Sequence, residues 1–411
     1  MRTVSLLTVA LALVASSLGQ NCDVAPVCDP SVCSLPDCVC SNTVPTVPLN
    51  ERPMIVYLTF DDAMTKLASD DFYSRLFDGS MTNPDGCPIR ATHFLTHLYT
   101  DYSLVNKYWR MGHEMASHSI THRANATYWK TLGKDGWADE MTGMRTITKN
   151  LANIPEEQIR GVRAPYLQGG GDNQFQMMLD DGFEYDCTMP SRNFGYLNMA
   201  NGRWPFTYDY RSEMDCQIEP CPKCSYKGIW SQPILDLDDA WLGSGGDPEH
   251  GSPCGMLDSC ICPECDRPKQ IADMIIKNFD IAYNGNTRAP FGLYVHAAWF
   301  FGQAFHFEGY LQAVEYMLSK NDTFIVPIHA GIEYRQNPVP LQTLINGEYE
   351  PFKCPTEAEI DPNDEYTCTN RQSCRYQNVE NEDLSLAEIY MVSCNSCPSK
   401  FPWLGNPEGN P

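Results

Sequence analysis

The sequence predicts an α/β fold whose mostly parallel sheet closes into a distorted (β/α)7 barrel, with Cys-rich loop excursions and terminal extensions. Three observations predict it. Short β-like runs recur between residues 54 and 330, helical patterns separate several of them, and chemistry-bearing residues collect at the carboxyl ends of the runs, where barrels place active sites. Strand and helix in alternation favour a parallel sheet. Seven runs are one short of a full eight-stranded barrel, hence the distortion.

The runs are 54–60 (MIVYLTF), 91–96 (ATHFLT), 114–117, 161–164, 183–188 (FEYDCT), 292–296 (GLYVH) and 323–328 (TFIVPI). Helical patterns cover 101–111, 137–154, 172–181, 269–283 and 308–319. In 269–283 the apolar residues Ile271, Met274, Ile275, Phe279 and Ala282 follow the 3.6 period. No internal repeat or low-complexity tract is evident.

Outside the runs, residues 1–19 read as a signal peptide: Arg2, an apolar run from Leu6 to Ala15 broken by one Thr, then small residues at Ser17 and Gly19. That run is well short of the ~18 residues a membrane span needs. The expectation is a secreted, extracellular protein, with a Cys-rich extension at 20–50, a barrel domain at 51–335 carrying a long Cys-rich loop at 204–266, and a second Cys-rich extension at 336–411. Asn125 and Asn321 stand in glycosylation sequons.

Composition narrows the partners. Of 411 residues, Lys and Arg number 29 against 52 Asp and Glu, a net charge of −23. Like charge repels nucleic acid and anionic membrane surfaces, so neither is an expected partner. Nineteen cysteines suit an oxidising compartment. Their CxxC pairs (Cys221/Cys224, Cys262/Cys265, Cys394/Cys397) have zinc-knuckle spacing, but disulfides are the favoured reading, with an odd thiol left over.

Four signals carry chemistry. The first run ends in Asp61-Asp62, and adjacent side chains of an extended chain point apart, so two acids can serve two roles. An Asp-Asp pair alone is more often a solvated turn. The third ends in His118-Ser119-Ile120-Thr121-His122, where imidazoles four residues apart can face one metal. The spacing from His113-Glu114 is one residue too long for the zinc-protease helix. The fourth ends in Arg163-Ala164-Pro165-Tyr166, offering a cation to hold a carboxylate ionised and a backbone N–H for an oxyanion. The sixth ends at His296, in isolation more often a core residue. Together, one carboxylate plus two imidazoles make a three-ligand hydrolytic metal site, with a second acid, an Arg and a His left for acid–base work.

In this order, TFDD (59–62), HSITH (118–122), RAPY (163–166) and LYVH (293–296) resemble the polysaccharide deacetylase family of carbohydrate esterases, over roughly residues 52–332. The wording HSITH and RAPYLQ resembles its insect-type chitin deacetylases. The resemblance implies one divalent ion per chain, usually Zn2+, on Asp62, His118 and His122. It implies Asp61 as general base, Arg163 as the side chain that orients it, the Tyr166 N–H as oxyanion donor, and His296 as general acid. The implied substrate is chitin or a chitin oligosaccharide. Its alternatives are another acetylated glycan, or a low-turnover chitin-binding matrix role. Two departures stand out: the acid that orients His296 is unplaced, the stretch after the fifth run reading Asp186-Cys187-Thr188-Met189-Pro190, and Trp204, with Trp230 and Trp241 as rivals, is assigned to the wall of the acetyl pocket.

Overall fold

The computed structural model describes residues 22–240, 251–262, 265–355, 364, 366–380 and 386–411. The expected signal peptide at 1–19 and Trp241 lie outside them.

Strand β1 (Met54–Asp61) is buried throughout. That is why it reads as an apolar run: a parallel strand covered on both faces has no solvent side to alternate with. Five more parallel strands follow on one side, β2 (Thr92–Leu95), β3 (Glu114–Ser117), β4 (Gly161–Val162), β5 (Tyr185–Asp186) and β6 (Tyr226–Ser231). On the other side of β1 lies β7 (Phe291–His296), also parallel. These seven form a curled sheet in the order β7-β1-β2-β3-β4-β5-β6. Among the described residues no ladder joins β6 to β7. Across that opening the Tyr294 hydroxyl donates to the Pro233 carbonyl at 3.3 Å.

The number of strands agrees with the sequence reading, but their membership differs. β6 lies inside 204–266, read as loop, because its six residues are interrupted by Gly228 and carry two exposed positions, Lys227 and Gly228, where its register with the antiparallel strand Phe206–Tyr208 shifts. The run at 323–328 instead yields β8 (Thr323–Ile325), paired with the start of β1 only.

Helices α1 (Tyr102–Arg110), α2 (Lys134–Ala152), α3 (Asp172–Asp181), α4 (Pro268–Tyr283) and α5 (Ala304–Leu318) fill the crossovers. Their ends carry their own signals. Asp101 caps α1 by accepting from the Ser103 N–H at 3.0 Å, Pro268 opens α4, and α2 stops where Asn153 turns left-handed (φ 53°). An unpredicted helical stretch, 66–76, joins β1 to β2.

Nine disulfides form among the described residues, leaving Cys187 free and buried. Of the CxxC pairs, only Cys262–Cys265 bonds within itself. Cys221 and Cys224 join Cys216 and Cys22, while Cys394 and Cys397 join Cys368 and Cys374. The extensions are therefore tied to the barrel: Cys22–Cys224 holds the N-terminal segment and Cys87–Cys354 the C-terminal one. A hairpin, β9 (Gln372–Glu380) and β10 (Leu386–Ser393), then packs on α1.

Candidate active site

The carboxyl ends of β1, β3, β4 and β7 bring Asp61, Asp62, His118, His122, Arg163 and His296 together. Register does this directly, since Asp61 stands opposite His296 on one side and Phe94 on the other.

Asp61 ends β1 pointing inward and is 4% exposed. Arg163 Nη1 donates to its Oδ1 at 2.5 Å, and the same guanidinium donates to Thr59 Oγ1 and the Cys187 carbonyl. Burial by itself raises the Asp61 pKa, but the Arg163 cation, which also hydrogen-bonds it, and the nearby His296 outweigh that and hold the carboxyl below its ordinary value. The next residue turns away. Asp62 adopts φ 79°, its N–H donating to the Phe94 carbonyl, and its side chain faces His122 (3.5 Å) and His296 (3.9 Å).

His118 Nδ1 lies 2.7 Å from the Arg163 carbonyl. A carbonyl only accepts, so Nδ1 carries the proton and Nε2 presents a lone pair to the site. Burial depresses its pKa to about 4, against the pull of Asp61, so the ring is neutral as a ligand must be. The turn to His122 is shaped from beneath by Glu140 of α2, which accepts from the N–H groups of Ile120 (3.1 Å) and Thr121 (3.0 Å), the Thr121 hydroxyl (2.6 Å) and the Tyr128 hydroxyl (2.9 Å).

Ligand atoms of Asp62, His118 and His122 lie within 4.8 Å of one another. His122 Nε2 is buried without a hydrogen-bond partner among the described residues. An orphaned imidazole nitrogen beside a carboxylate and a second bare nitrogen fits a divalent cation such as zinc.

His296 Nδ1 donates to Asp258 Oδ2 at 2.7 Å. Burial alone lowers the His296 pKa, but the hydrogen bond to Asp258 and the charges of Asp61, Asp258 and Asp62 raise it to about 9. Asp258 sits on a tight turn, Leu257–Ser259, closed by the Cys254–Cys260 disulfide. This partner went unplaced in the sequence, where the short Cys254–Cys260 spacing was the available signal of a constrained turn. Asp186 is buried beneath the fourth-strand turn, bound to Gln174 and Thr188 instead.

Tyr166 follows β4 with φ 57° and ψ 17°, its ring 5.1 Å from His122. Asp62, Ser119, His122, Tyr166 and Leu167 are five of the eight non-glycine residues with positive φ among the described residues, so backbone strain concentrates at this site.

The Trp204 assignment is corrected. Its indole is 1% exposed, donates to the Thr287 carbonyl at 2.9 Å and packs between Arg52 and Tyr334. It does not line the pocket, and neither does Trp230. The apolar wall consists of Leu167, Ile218 and Met256 around a cavity of about 350 Å³ that Asp61, His118 and His296 also line. A larger cavity, of about 480 Å³, opens at the amino ends of the strands beside Arg90, Arg160 and His329, and none of the predicted site residues reaches it. Asn125 and Asn321 are both exposed.

A parallel barrel presenting one carboxylate and two imidazoles at its carboxyl end has the make-up of a hydrolytic metal centre. No family model matches the chain. Chitin deacetylase 1 of Bombyx mori is 35% identical over 405 residues, covering 95% of this chain and 71% of that protein. Chitin deacetylase 8 of Bombyx mori is 32% identical over 404 residues, covering 97% and 98%. The chain belongs to the chitin deacetylase family. Among solved structures, the chitin deacetylase of the fungal pathogen Colletotrichum lindemuthianum overlaps 71% of this chain and 90% of its own at 15% identity (TM-score 0.37). A probable polysaccharide deacetylase from Pseudomonas aeruginosa PAO1 overlaps 71% and 94% at 11% identity (TM-score 0.45).

Proposed function

We propose that the chain is a secreted, metal-dependent hydrolase that removes N-acetyl groups from chitin or chitin oligomers, releasing acetate. The observation that carries this reading is the convergence of Asp62, His118 and His122 around a His122 nitrogen unpartnered among the described residues, with Asp61 paired to Arg163 on one flank and His296 bonded to Asp258 on the other. Relatives named chitin deacetylases, aligned over nearly the whole chain, support the substrate. The nine disulfides support an oxidising, extracellular setting.

Asp62, His118 and His122 would hold the ion, which supplies acidified water and a polarised amide carbonyl when bound. Asp61, kept ionised by Arg163, takes a proton from the attacking water. The N–H of Tyr166 faces the oxyanion. His296, kept protonated by Asp258, delivers a proton to the leaving sugar amine, a poor leaving group without one.

Mass spectrometry of chitin oligomers should show stepwise loss of acetyl groups, abolished with metal content in His118→Ala and His122→Ala. Metal-loaded protein that releases no acetate from any chitin oligomer would overturn the reading in favour of another glycan or a binding role.

A further inference from the structure

The same pocket contains a carboxylate that the reaction does not use. Asp236 lines it, is 4% exposed, and its Oδ1 is buried with no hydrogen-bond partner among the described residues. Nearby acids on the same segment are consumed in building it. Asp238 Oδ1 accepts from the N–H groups of Ala240 and Gly251, and the Asp239 carboxylate from those of Ser252 and Ile261. Among the described residues the Asp236 carboxylate has only Arg192, whose Nε lies 3.8 Å from its Oδ2. A buried acceptor left unsatisfied costs free energy, so its retention on a pocket wall calls for a ligand. The wall is also cut back in front of it. A Cβ on Gly255, another lining residue, would stand 3.1 Å from Asp236 Oδ1.

The chemistry of the pair selects the ligand. An ammonium would satisfy Asp236 but would meet the Arg192 cation beside it. A hydroxyl both donates and accepts, and so suits a carboxylate with a guanidinium alongside. We propose that Asp236 is a substrate-binding residue whose Oδ1 accepts a hydrogen bond from a hydroxyl of the sugar in the pocket, while Arg192 donates to that hydroxyl's oxygen. The inference rests on the glycan substrate proposed above.

The test compares wild type, Asp236→Ala, Asp236→Asn and Gly255→Ala on a chitin pentamer and on a small aryl acetate, which bears no sugar hydroxyl. Asp236→Ala should lower kcat/KM for the pentamer by roughly 10- to 100-fold, mainly through KM, as for a lost hydrogen bond to a charged group. Its loss on the aryl acetate should be at least about tenfold smaller on the same grounds. Asp236→Asn, which keeps an acceptor oxygen, should recover part of the loss, and Gly255→Ala should act in the same direction as Asp236→Ala. Neither Asp236 variant should melt below wild type, since each removes a buried charge that has no hydrogen bond among the described residues and only the exposed Arg192 to offset it. Pentamer turnover within about twofold of wild type in Asp236→Ala, or equal losses on both substrates, would overturn the assignment. If wild type cleaves the aryl acetate but releases no acetate from the pentamer, the proposed function fails instead. Calorimetric binding of the pentamer then decides, with equal affinity of wild type and Asp236→Ala overturning the role of Asp236.

Discussion

Adjacent aspartates with opposite fates show how much a single φ angle decides. Asp61 continues the strand into the barrel and meets Arg163, while Asp62 turns left-handed (φ 79°) and faces the two histidines. Asp61→Asn should therefore keep the metal, read by elemental analysis, yet lower turnover by roughly 10²- to 10⁴-fold, the usual contribution of a general base. Loss of metal in that variant would mean that the two roles are exchanged. For His296 the sign follows from its partners. In the proposed reaction it acts protonated, so activity should fall as pH rises through its pKa, raised to about 9. A cation held by Asp62 would offset the help from that carboxylate but would leave the Asp258 hydrogen bond in place. Asp258→Asn should thus move the alkaline limb of the pH–rate profile to lower pH, by roughly 1 to 3 pH units, as for loss of a neighbouring opposite charge. An unmoved limb would remove Asp258 from the reaction. The candidate ligands, base and acid were legible because each ends a strand with a side chain rare in apolar runs. Asp258 and Asp236 were not, because they meet the site from a loop whose path no local pattern fixes.

At the scale of elements, α2 supports the turn that carries the candidate ligands His118 and His122. Glu140 ties two backbone N–H groups and two hydroxyls of the Ile120, Thr121 and Tyr128 segment to the helix. Glu140→Ala would leave buried N–H groups unpaired and should cost about 2–4 kcal/mol of stability in chemical denaturation. Zinc affinity, read by competition with a chelator, should fall roughly 10- to 100-fold, as when the support behind a ligand is lost. Full affinity in the destabilised variant would show that β3 alone positions the two histidines. The five long helices α1–α5 are legible because their faces repeat over several turns, whereas the short turns of 66–76 carry no such repeat. β6 was missed because a six-residue strand with Gly228 and exposed positions has no comparable repeat.

The molecule as a whole is stapled across long spans: Cys22–Cys224 and Cys87–Cys354 close separations of 202 and 267 residues. In the chain-entropy account each such closure, taken alone, contributes about 5–6 kcal/mol. Cys187 stands apart, with burial pushing its thiol up to about 12 and its Sγ accepting from Arg163 at 3.1 Å. A thiol reagent should accordingly find no reactive cysteine in the native, unreduced protein and one per chain once denaturant exposes it. Two or more in the native state would contradict the pairing. By itself the sequence determined the barrel class, the order of the strand-end motifs and the preference for disulfides over zinc knuckles, because apolar runs, periodicity and residue chemistry are local properties. Only the tertiary structure decided which cysteines pair, that Trp204 belongs to the core, and that Asp258, Glu140 and Asp236 converge on the site. Those are distances between segments far apart in the chain, set by how the loops cross the end of the sheet rather than by any neighbouring residue.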